Sequence, residues 1–247
     1  MKQGQTASAK WCFTHRVELA SLIGVVGFFF FPWFPQSLLR LTADLLSSRP
    51  EGLIRLGYVL LAILNLLASA LRIWAGGTLG GARMMAVQVQ TNAMITAGPY
   101  SRVRNPIYLA DILTLAGMGL VVPPPGSLVV WLLLVYVYPR IMSYEEESLG
   151  RALGEPYLEY QRRVARLDWS FRPLVPPTTG VFSWREGLLN NFIYLPLVPG
   201  FLVCALTGVL WHGVLVGAAG PLGWVGLHFW RNFKKDGLTR DGRKQTD

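Results

Sequence analysis

The chain has 247 residues, of which 52% are hydrophobic and 15% are charged, and its mean hydropathy is +0.37. Soluble domains carry about 25% charged residues, so this composition excludes an ordinary water-soluble enzyme, and it also excludes intrinsic disorder. The net charge of +9 indicates basic loops beside a membrane, so we expect a lipid bilayer as the partner and no nucleic acid.

Two apolar stretches near the start of the chain predict membrane helices. Residues 19–34 are the first, since a helix needs about 20 apolar residues to cross the hydrocarbon layer. A basic segment precedes it, but no small-residue cleavage site follows, so we expect an uncleaved helix and not a signal peptide. Residues 53–74 are the second stretch, with Arg55 and Arg72 near its ends, where both side chains can reach the membrane surface.

Two longer uncharged stretches follow. Residues 112–139 are interrupted by Pro123-Pro124-Pro125-Gly126, and because proline cannot continue a helix they predict a hairpin of two short helices, about 15 residues each. Residues 187–230 hold 44 uncharged residues, enough for two more spans. The pattern therefore predicts an all-α, polytopic membrane protein with about six transmembrane helices and a proline-broken helical hairpin.

The distribution of Lys and Arg gives an orientation. Basic residues concentrate at the start of the chain, in the two polar segments that flank the hairpin and in the tail at residues 231–244. The positive-inside rule then places both termini and both polar segments in the cytoplasm. We divide the chain into N-terminal transmembrane helices (1–71), a core with the hairpin and both polar segments (72–175), and C-terminal transmembrane helices with the basic tail (176–247).

The first polar segment contains the run GPYSRVRNPIYL at residues 98–109. Gly98-Pro99 predicts a turn, and Pro106 suits the first turn of a helix. Arg102, Arg104, Asn105 and the nearby helix N-terminus could together hold an anionic ligand group. Alternatively, the arginines anchor a membrane helix.

The second polar segment begins with Glu145-Glu146-Glu147. Adjacent carboxylates repel each other unless cations or water surround them, and this position suits a cationic or amino-bearing cofactor. Tyr157, Tyr160 and Arg163 follow at a spacing that places them on one helical face, where they could wall a pocket. A solvated charged face with interfacial anchors is the alternative.

Taken together, GPYSRVRNPIYL, the proline-broken hairpin and EE…L…LGEPYLEYQRRVAR resemble the isoprenylcysteine carboxyl methyltransferase and phospholipid methyltransferase superfamily. Its members typically read GPYxxVR[HN]PxYLG and then EExxLxxxFGxxYxxYxxxVPR. The resemblance covers roughly residues 72–166. The sequence departs from the usual pattern at Ala110, Leu153 and Ala165, and Asn105 replaces the histidine of many members.

The resemblance implies an integral-membrane methyltransferase that uses S-adenosylmethionine, bound at the cytosolic ends of the helices. The implied cofactor-binding residues are Tyr100, Arg104, Asn105, Pro106, Tyr108, Leu109, Glu145 and Glu146. The implied catalytic residues, at the methyl-acceptor end, are Tyr157, Tyr160 and Arg163. We expect a lipophilic acceptor, with O-methylation as in isoprenylcysteine carboxyl methyltransferases first, and phospholipid N-methylation or small-thiol S-methylation as alternatives. A transporter or lipid-binding scaffold is the non-enzymatic alternative.

A few other residues bear on this reading. Asp111 lies just inside a predicted membrane helix, where a carboxylate is either functional or paired with another helix. The spacing Gly213-x-x-x-Gly217 permits close helix packing, within the chain or in a homodimer. We expect no metal site, because two histidines 16 residues apart and two distant cysteines offer no ligand cluster.

Overall fold

The computed structural model describes residues 3–80, 88–89, 94–178, 182–189, 191–220 and 222–223. Every regular element in these ranges is helical, which confirms the predicted all-α class. The short 3-10 turns are Gly27–Phe30, Gly98–Ser101 and Gly119–Val121. The α-helices are α1 (Gln3–Thr14), α2 (Arg16–Val26), α3 (Leu38–Leu46), α4 (Glu51–Leu79), α5 (Pro106–Met118), α6 (Pro124–Leu153), α7 (Glu155–Arg163), α8 (Trp184–Leu189), α9 (Leu197–Thr207) and α10 (Leu210–Gly217).

Two helices are long and apolar enough to cross a bilayer, α4 with 29 residues and α6 with 30. The pair Ala7–Thr14 and Arg16–Phe30 is bent by 77° and adds a third candidate if it counts as one span. The described part of the chain thus holds two or three candidate spans, and the predicted number of six is not confirmed. Residues 224–247, with the end of the last predicted span and the basic tail, lie outside the described residues.

The uncharged stretch after residue 187 forms short helices. Helix α9 has 11 residues and ends at Gly208, whose left-handed conformation, with φ +72, stops the helix. Helix α10 has 8 residues and packs closely on α9, since a Cβ on Gly200 would lie 2.8 Å from the carbonyl oxygen of Gly213. Gly213 therefore serves a contact within the chain, and the homodimer stays a prediction.

The break of the helical hairpin lies where the sequence predicts it, between Met118 and Pro124. The prediction of two short arms was wrong for the second arm, because α6 continues through Pro139 as far as Leu153. Pro139 removes one backbone hydrogen bond, but packing against α1, α2 and α5 keeps the helix continuous. The three glutamates at 145–147 consequently lie inside α6 and not after its end.

The C-terminal segment is fastened to α4. Gly187 of α8 packs on the backbone of α4, since a Cβ there would lie 2.6 Å from the carbonyl oxygen of Ile73. Asn191 is completely buried and donates from Nδ2 to the carbonyl oxygens of Gly187 and, at 3.3 Å, of Arg72. The sequence analysis places a boundary between regions at residues 71 and 72, but helix α4 continues through both residues. The division of the chain into three regions stays a prediction.

Candidate active site

The turn that precedes α5 is docked on the end of α4. Gly98 has φ +57, and a Cβ at this position would lie 2.6 Å from Thr78 Oγ1, so only glycine fits without strain. The hydroxyl of Ser101 donates to the carbonyl of Gly98 at 2.8 Å and closes the turn. Pro106 then begins α5, and the residue before it, Asn105, is held beside α6.

Glu146 joins the two polar segments. Its side chain is 5% exposed, and its Oε1 accepts a hydrogen bond of 2.8 Å from Asn105 Nδ2. Its Oε2 accepts from Nη2 and Nε of Arg166 at 2.6 and 3.1 Å, and Arg104 Nε lies 3.3 Å from Oε1. Two arginines therefore compensate the charge of this buried carboxylate and an amide hydrogen-bonds to it, so the two segments meet as predicted.

Arg104 also connects the first polar segment to the second. Its Nη1 donates to the carbonyl of Gln161 at 2.8 Å, and its amide donates to the carbonyl of Ala165 at 2.9 Å. Arg102 lies over the ring of Trp74, at 5.8 Å, and donates to the carbonyl of Phe171. Both arginines of the predicted anion site thus bind protein groups.

Glu145 points in a different direction from its neighbour, because successive residues of a helix are rotated by about 100°. Its Oε2 accepts a hydrogen bond of 2.8 Å from the hydroxyl of Tyr108. Both side chains line a cavity of about 190 Å³ enclosed by the two polar segments and the helices around them. Of the two glutamates chosen from the sequence, only Glu145 therefore faces a space that a ligand can fill.

Eight of the eleven predicted site residues line this cavity. They are Tyr100, Arg104, Asn105, Pro106, Tyr108, Glu145, Tyr157 and Tyr160. Leu109, Glu146 and Arg163 are not part of the lining. Arg163 is 57% exposed and its Nε donates to Glu159 Oε1 at 2.7 Å. The structure thus brings together most of the predicted residues, and the assigned roles of all eleven stay predictions.

Three tyrosines form one wall of the cavity. The hydroxyl of Tyr160 donates to the carbonyl of Tyr100 at 2.7 Å, and the rings of Tyr157 and Tyr160 lie 5.8 Å apart. Burial raises the pKa of all three hydroxyls, and the nearby carboxylates of Glu145 and Glu146 raise the pKa of Tyr157 further. The hydroxyl of Tyr100 is buried and has no hydrogen-bond partner within the described residues.

A second polar cluster lines the cavity, and the sequence analysis identified only one member of it. Arg72 Nη1 pairs with Asp111, so the prediction that Arg72 reaches the membrane surface was wrong. Its guanidinium lies 4.4 Å from the ring centre of Tyr194, and Tyr138 and Tyr194 both interact with the Asp111 carboxylate. The signal that was available is Asp111 itself, since a carboxylate inside a membrane helix needs a partner.

A comparison with known protein families finds a match for the central part of the chain. The family model described as phospholipid methyltransferase matches residues 56–155. This region belongs to the phospholipid methyltransferase family. The family is part of the isoprenylcysteine carboxyl methyltransferase-like superfamily of membrane methyltransferases, as the sequence motifs predict. A membrane location agrees with the family and with the apolar helices α4 and α6.

Among curated proteins, the chain is similar to the cobalt-zinc-cadmium resistance protein CzcN of Cupriavidus metallidurans. The two are 28% identical over 119 residues, which is 48% of this chain and 50% of that protein. The chain thus spans about half the length of the curated relative that it matches. No solved structure matches the chain significantly.

The phospholipid methyltransferase region supplies only part of the cavity. Its residues Tyr108, Asp111 and Glu145 come from α5 and α6, within the matched range. Tyr157, Tyr160 and Tyr194 follow the matched range, and Arg16 and Val17 precede it, yet all five line the same cavity. Segments on both sides of the family region therefore complete the site.

Proposed function

We propose that this protein is an integral-membrane, S-adenosylmethionine-dependent methyltransferase that acts on a lipophilic acceptor. The observation that carries the proposal is the cavity in which Tyr108, from the first motif, hydrogen-bonds to Glu145, from the second. The bond from Asn105 to Glu146 supports it, because this bond holds the two motifs around that cavity. The phospholipid methyltransferase match to residues 56–155 gives the class of reaction.

The chemistry of the cavity fits S-adenosylmethionine. This cofactor carries an amino group, a carboxylate and a sulfonium, and it supplies an activated methyl group when bound. Glu145 is the acid group suited to an ammonium, and the buried hydroxyl of Tyr100, which has no hydrogen-bond partner among the described residues, can donate to a ligand. The rings of Tyr100, Tyr108 and Tyr157 offer faces that attract a positive charge.

The protein groups act on the reaction mainly by position and by excluding water. Leu149, Leu153 and Met94 line the cavity beside the tyrosines, so a reaction in which charge disappears is favoured by the low dielectric. A carboxylate or thiolate acceptor needs no general base, while an amine must lose its proton before it attacks. Alignment of acceptor and methyl group is the main contribution that these residues make.

The acceptor and the orientation in the membrane complete the proposal. We place O-methylation of a carboxylate first, with N-methylation of a lipid headgroup and S-methylation of a small thiol as the alternatives. Both termini and the cavity face the cytoplasm, because the basic segments around Arg102 and Arg162 flank the hairpin on one side. A lipophilic acceptor then reaches the cavity from the bilayer.

One experiment tests the reaction. The purified protein in detergent is incubated with methyl-labelled S-adenosylmethionine and a lipid extract of bacterial membranes, and the labelled product is identified by mass spectrometry. We expect label in a methyl ester, a methylated amine or a thioether, and each assigns one acceptor class. The Glu145→Gln variant, which lacks the carboxylate that faces the cavity, should give no labelled product. Binding of a lipid without any methyl transfer, in the presence of cofactor, supports the scaffold or transporter instead.

A further inference from the structure

The cavity has a polar end that neither motif builds. Arg72 on α4, Asp111 on α5, Tyr138 on α6 and Tyr194 after α8 meet there, and we call them the inner cluster. On α6, Tyr138 precedes Glu145 by seven residues, which is about two turns or 10 Å along the helix axis. Residues seven apart lie on the same helix face, so the inner cluster and Glu145 line one cavity at different depths.

Arg72 keeps hydrogen-bonding capacity in this cluster. Its Nη1 pairs with Asp111, but its Nε has no hydrogen-bond partner within the part of the chain that the structure describes. A guanidinium binds carboxylate or phosphate oxygens through neighbouring N–H groups on one edge, and the edge formed by Nε and Nη2 does not include Nη1, the atom that pairs with Asp111. The ring of Tyr194, 4.4 Å from the guanidinium carbon, restricts its orientation.

Tyr194 is held in place by its own segment. Asn191, three residues earlier, is completely buried and bonds to the backbone of α4 at Arg72. The amide of Tyr194 donates to the carbonyl of Asn191 at 3.1 Å, so the turn that carries the tyrosine is fixed to the helix that carries the arginine. This segment lies beyond residues 56–155, so the family match does not assign it a role.

The geometry points to the inner cluster as the acceptor subsite, in which Arg72 binds an oxyanion of the lipophilic molecule, a carboxylate or a phosphate, and Tyr194 determines which molecules fit. Asp111 is a positioning residue here, since it orients Arg72 and does not touch the ligand. The assignment rests on the proposed function, because Glu145 and Tyr108 are taken as the cofactor end of the same cavity.

Binding of simple amphiphiles tests the oxyanion site without turnover. Lauric acid and dodecyl phosphate are titrated into the protein in dodecyl maltoside micelles, with dodecanol as the neutral control of equal chain length. We expect at least one of the two anions to bind at least tenfold more tightly than dodecanol. Tighter binding of laurate identifies a carboxylate, and tighter binding of dodecyl phosphate identifies a phosphate.

Two variants make the test specific. Arg72→Gln alone leaves a buried carboxylate unpaired, so it is combined with Asp111→Asn, and the pair should lose at least tenfold in affinity for the anion. Arg140→Gln removes a partly exposed arginine of α6 that does not line the cavity, and its affinity should stay unchanged. Equal affinity of wild type and double variant, or equal affinity of both anions and dodecanol, overturns the inference.

Tyr194→Phe and Tyr194→Leu test the role in specificity. Both should raise the KM for the lipid acceptor at least fivefold, and they should leave the affinity for S-adenosylhomocysteine unchanged. Tyr58→Phe is the control, since Tyr58 is a buried tyrosine of α4 that packs in a cluster with residues of α9 and does not line the cavity. An unchanged KM in both Tyr194 variants overturns the specificity role. Anion binding without any S-adenosylhomocysteine binding overturns the acceptor role together with the proposed function, and leaves only an oxyanion site.

Discussion

The side-chain amide of Asn105 donates to Glu146 Oε1 at 2.8 Å. This bond links the turn before α5 to the start of the second polar segment, 41 residues later. The other oxygen of the same carboxylate accepts from Arg166, which follows α7. One buried glutamate therefore ties together three parts of the chain, and its neighbour Glu145 is left to face the cavity.

The first prediction concerns stability. Glu146→Gln removes the charge that compensates Arg104 and Arg166, so we expect the free energy of unfolding to fall. The loss should be about 2 kcal/mol, below the 3–5 kcal/mol typical of a fully buried pair, because Arg166 is 39% exposed. Thermal unfolding in detergent, followed by circular dichroism, measures the change. Glu155→Gln removes an exposed carboxylate and should have no measurable effect, and an equal loss in both variants would contradict the prediction.

The second prediction separates the two neighbouring glutamates by function. Glu145→Gln should weaken the binding of S-adenosylhomocysteine at least tenfold, because the acid that faces the cavity loses its charge. The unfolding midpoint should change less than in Glu146→Gln, since the hydrogen bond of the Glu145 side chain to Tyr108 is its only one within the part of the chain that the structure describes. Calorimetric titration and thermal unfolding of both variants measure this. Unchanged binding in Glu145→Gln would remove the carboxylate from the cofactor site.

The third prediction concerns alkaline pH. Burial raises the pKa of Tyr157 and Tyr160 in the folded protein, whereas the pKa is about 10 in the unfolded chain. The stability that these groups contribute is therefore complete below about pH 10 and is lost as the pH rises above it, because only the unfolded chain then releases the protons. We expect the unfolding midpoint to fall above pH 10, and to fall less steeply in Tyr157→Phe. Parallel curves for wild type and variant would refute the shift.

The fourth prediction concerns the turn that docks on α4. Gly98→Ala places a side chain where φ is +57 and where Thr78 Oγ1 lies 2.6 Å from the new Cβ, so the protein should lose more than about 1 kcal/mol. Gly52→Ala is the matched control. It lies in helix α4 with no atom within 4 Å of the new Cβ, and it should be neutral or stabilising. Midpoints of chemical unfolding compare the two, and a stable Gly98→Ala variant would show that the turn is not held by this contact.

The sequence predicts that the two polar segments meet, because the feature that brings them together is a short run of residues that can be recognised in the sequence. The prolines at 123–125 must break the helix, and a break between two helices returns the chain to the same side. Which glutamate faces the cavity was not predictable in the same way. It depends on α6 staying helical past Pro139, and that depends on packing against other helices.

The inner cluster was missed for a different reason. Arg72 lies near the end of an apolar stretch, and a long side chain at such a place can either reach water or bury itself with a partner. The partner Asp111 is 39 residues away, and Tyr194 comes from a turn inside a stretch that reads as continuous membrane helix. No spacing rule connects these three residues, because tertiary packing alone brings them together.

Helix α6 carries cavity-lining residues from both ends of the cavity. Tyr138 and Glu145 lie on one continuous helix, so the helix sets the distance between the two side chains. One inserted residue between these positions would turn Glu145 away by about 100° and point a different side chain inward. An insertion in this stretch should therefore disturb the cavity even where it leaves the helix itself intact.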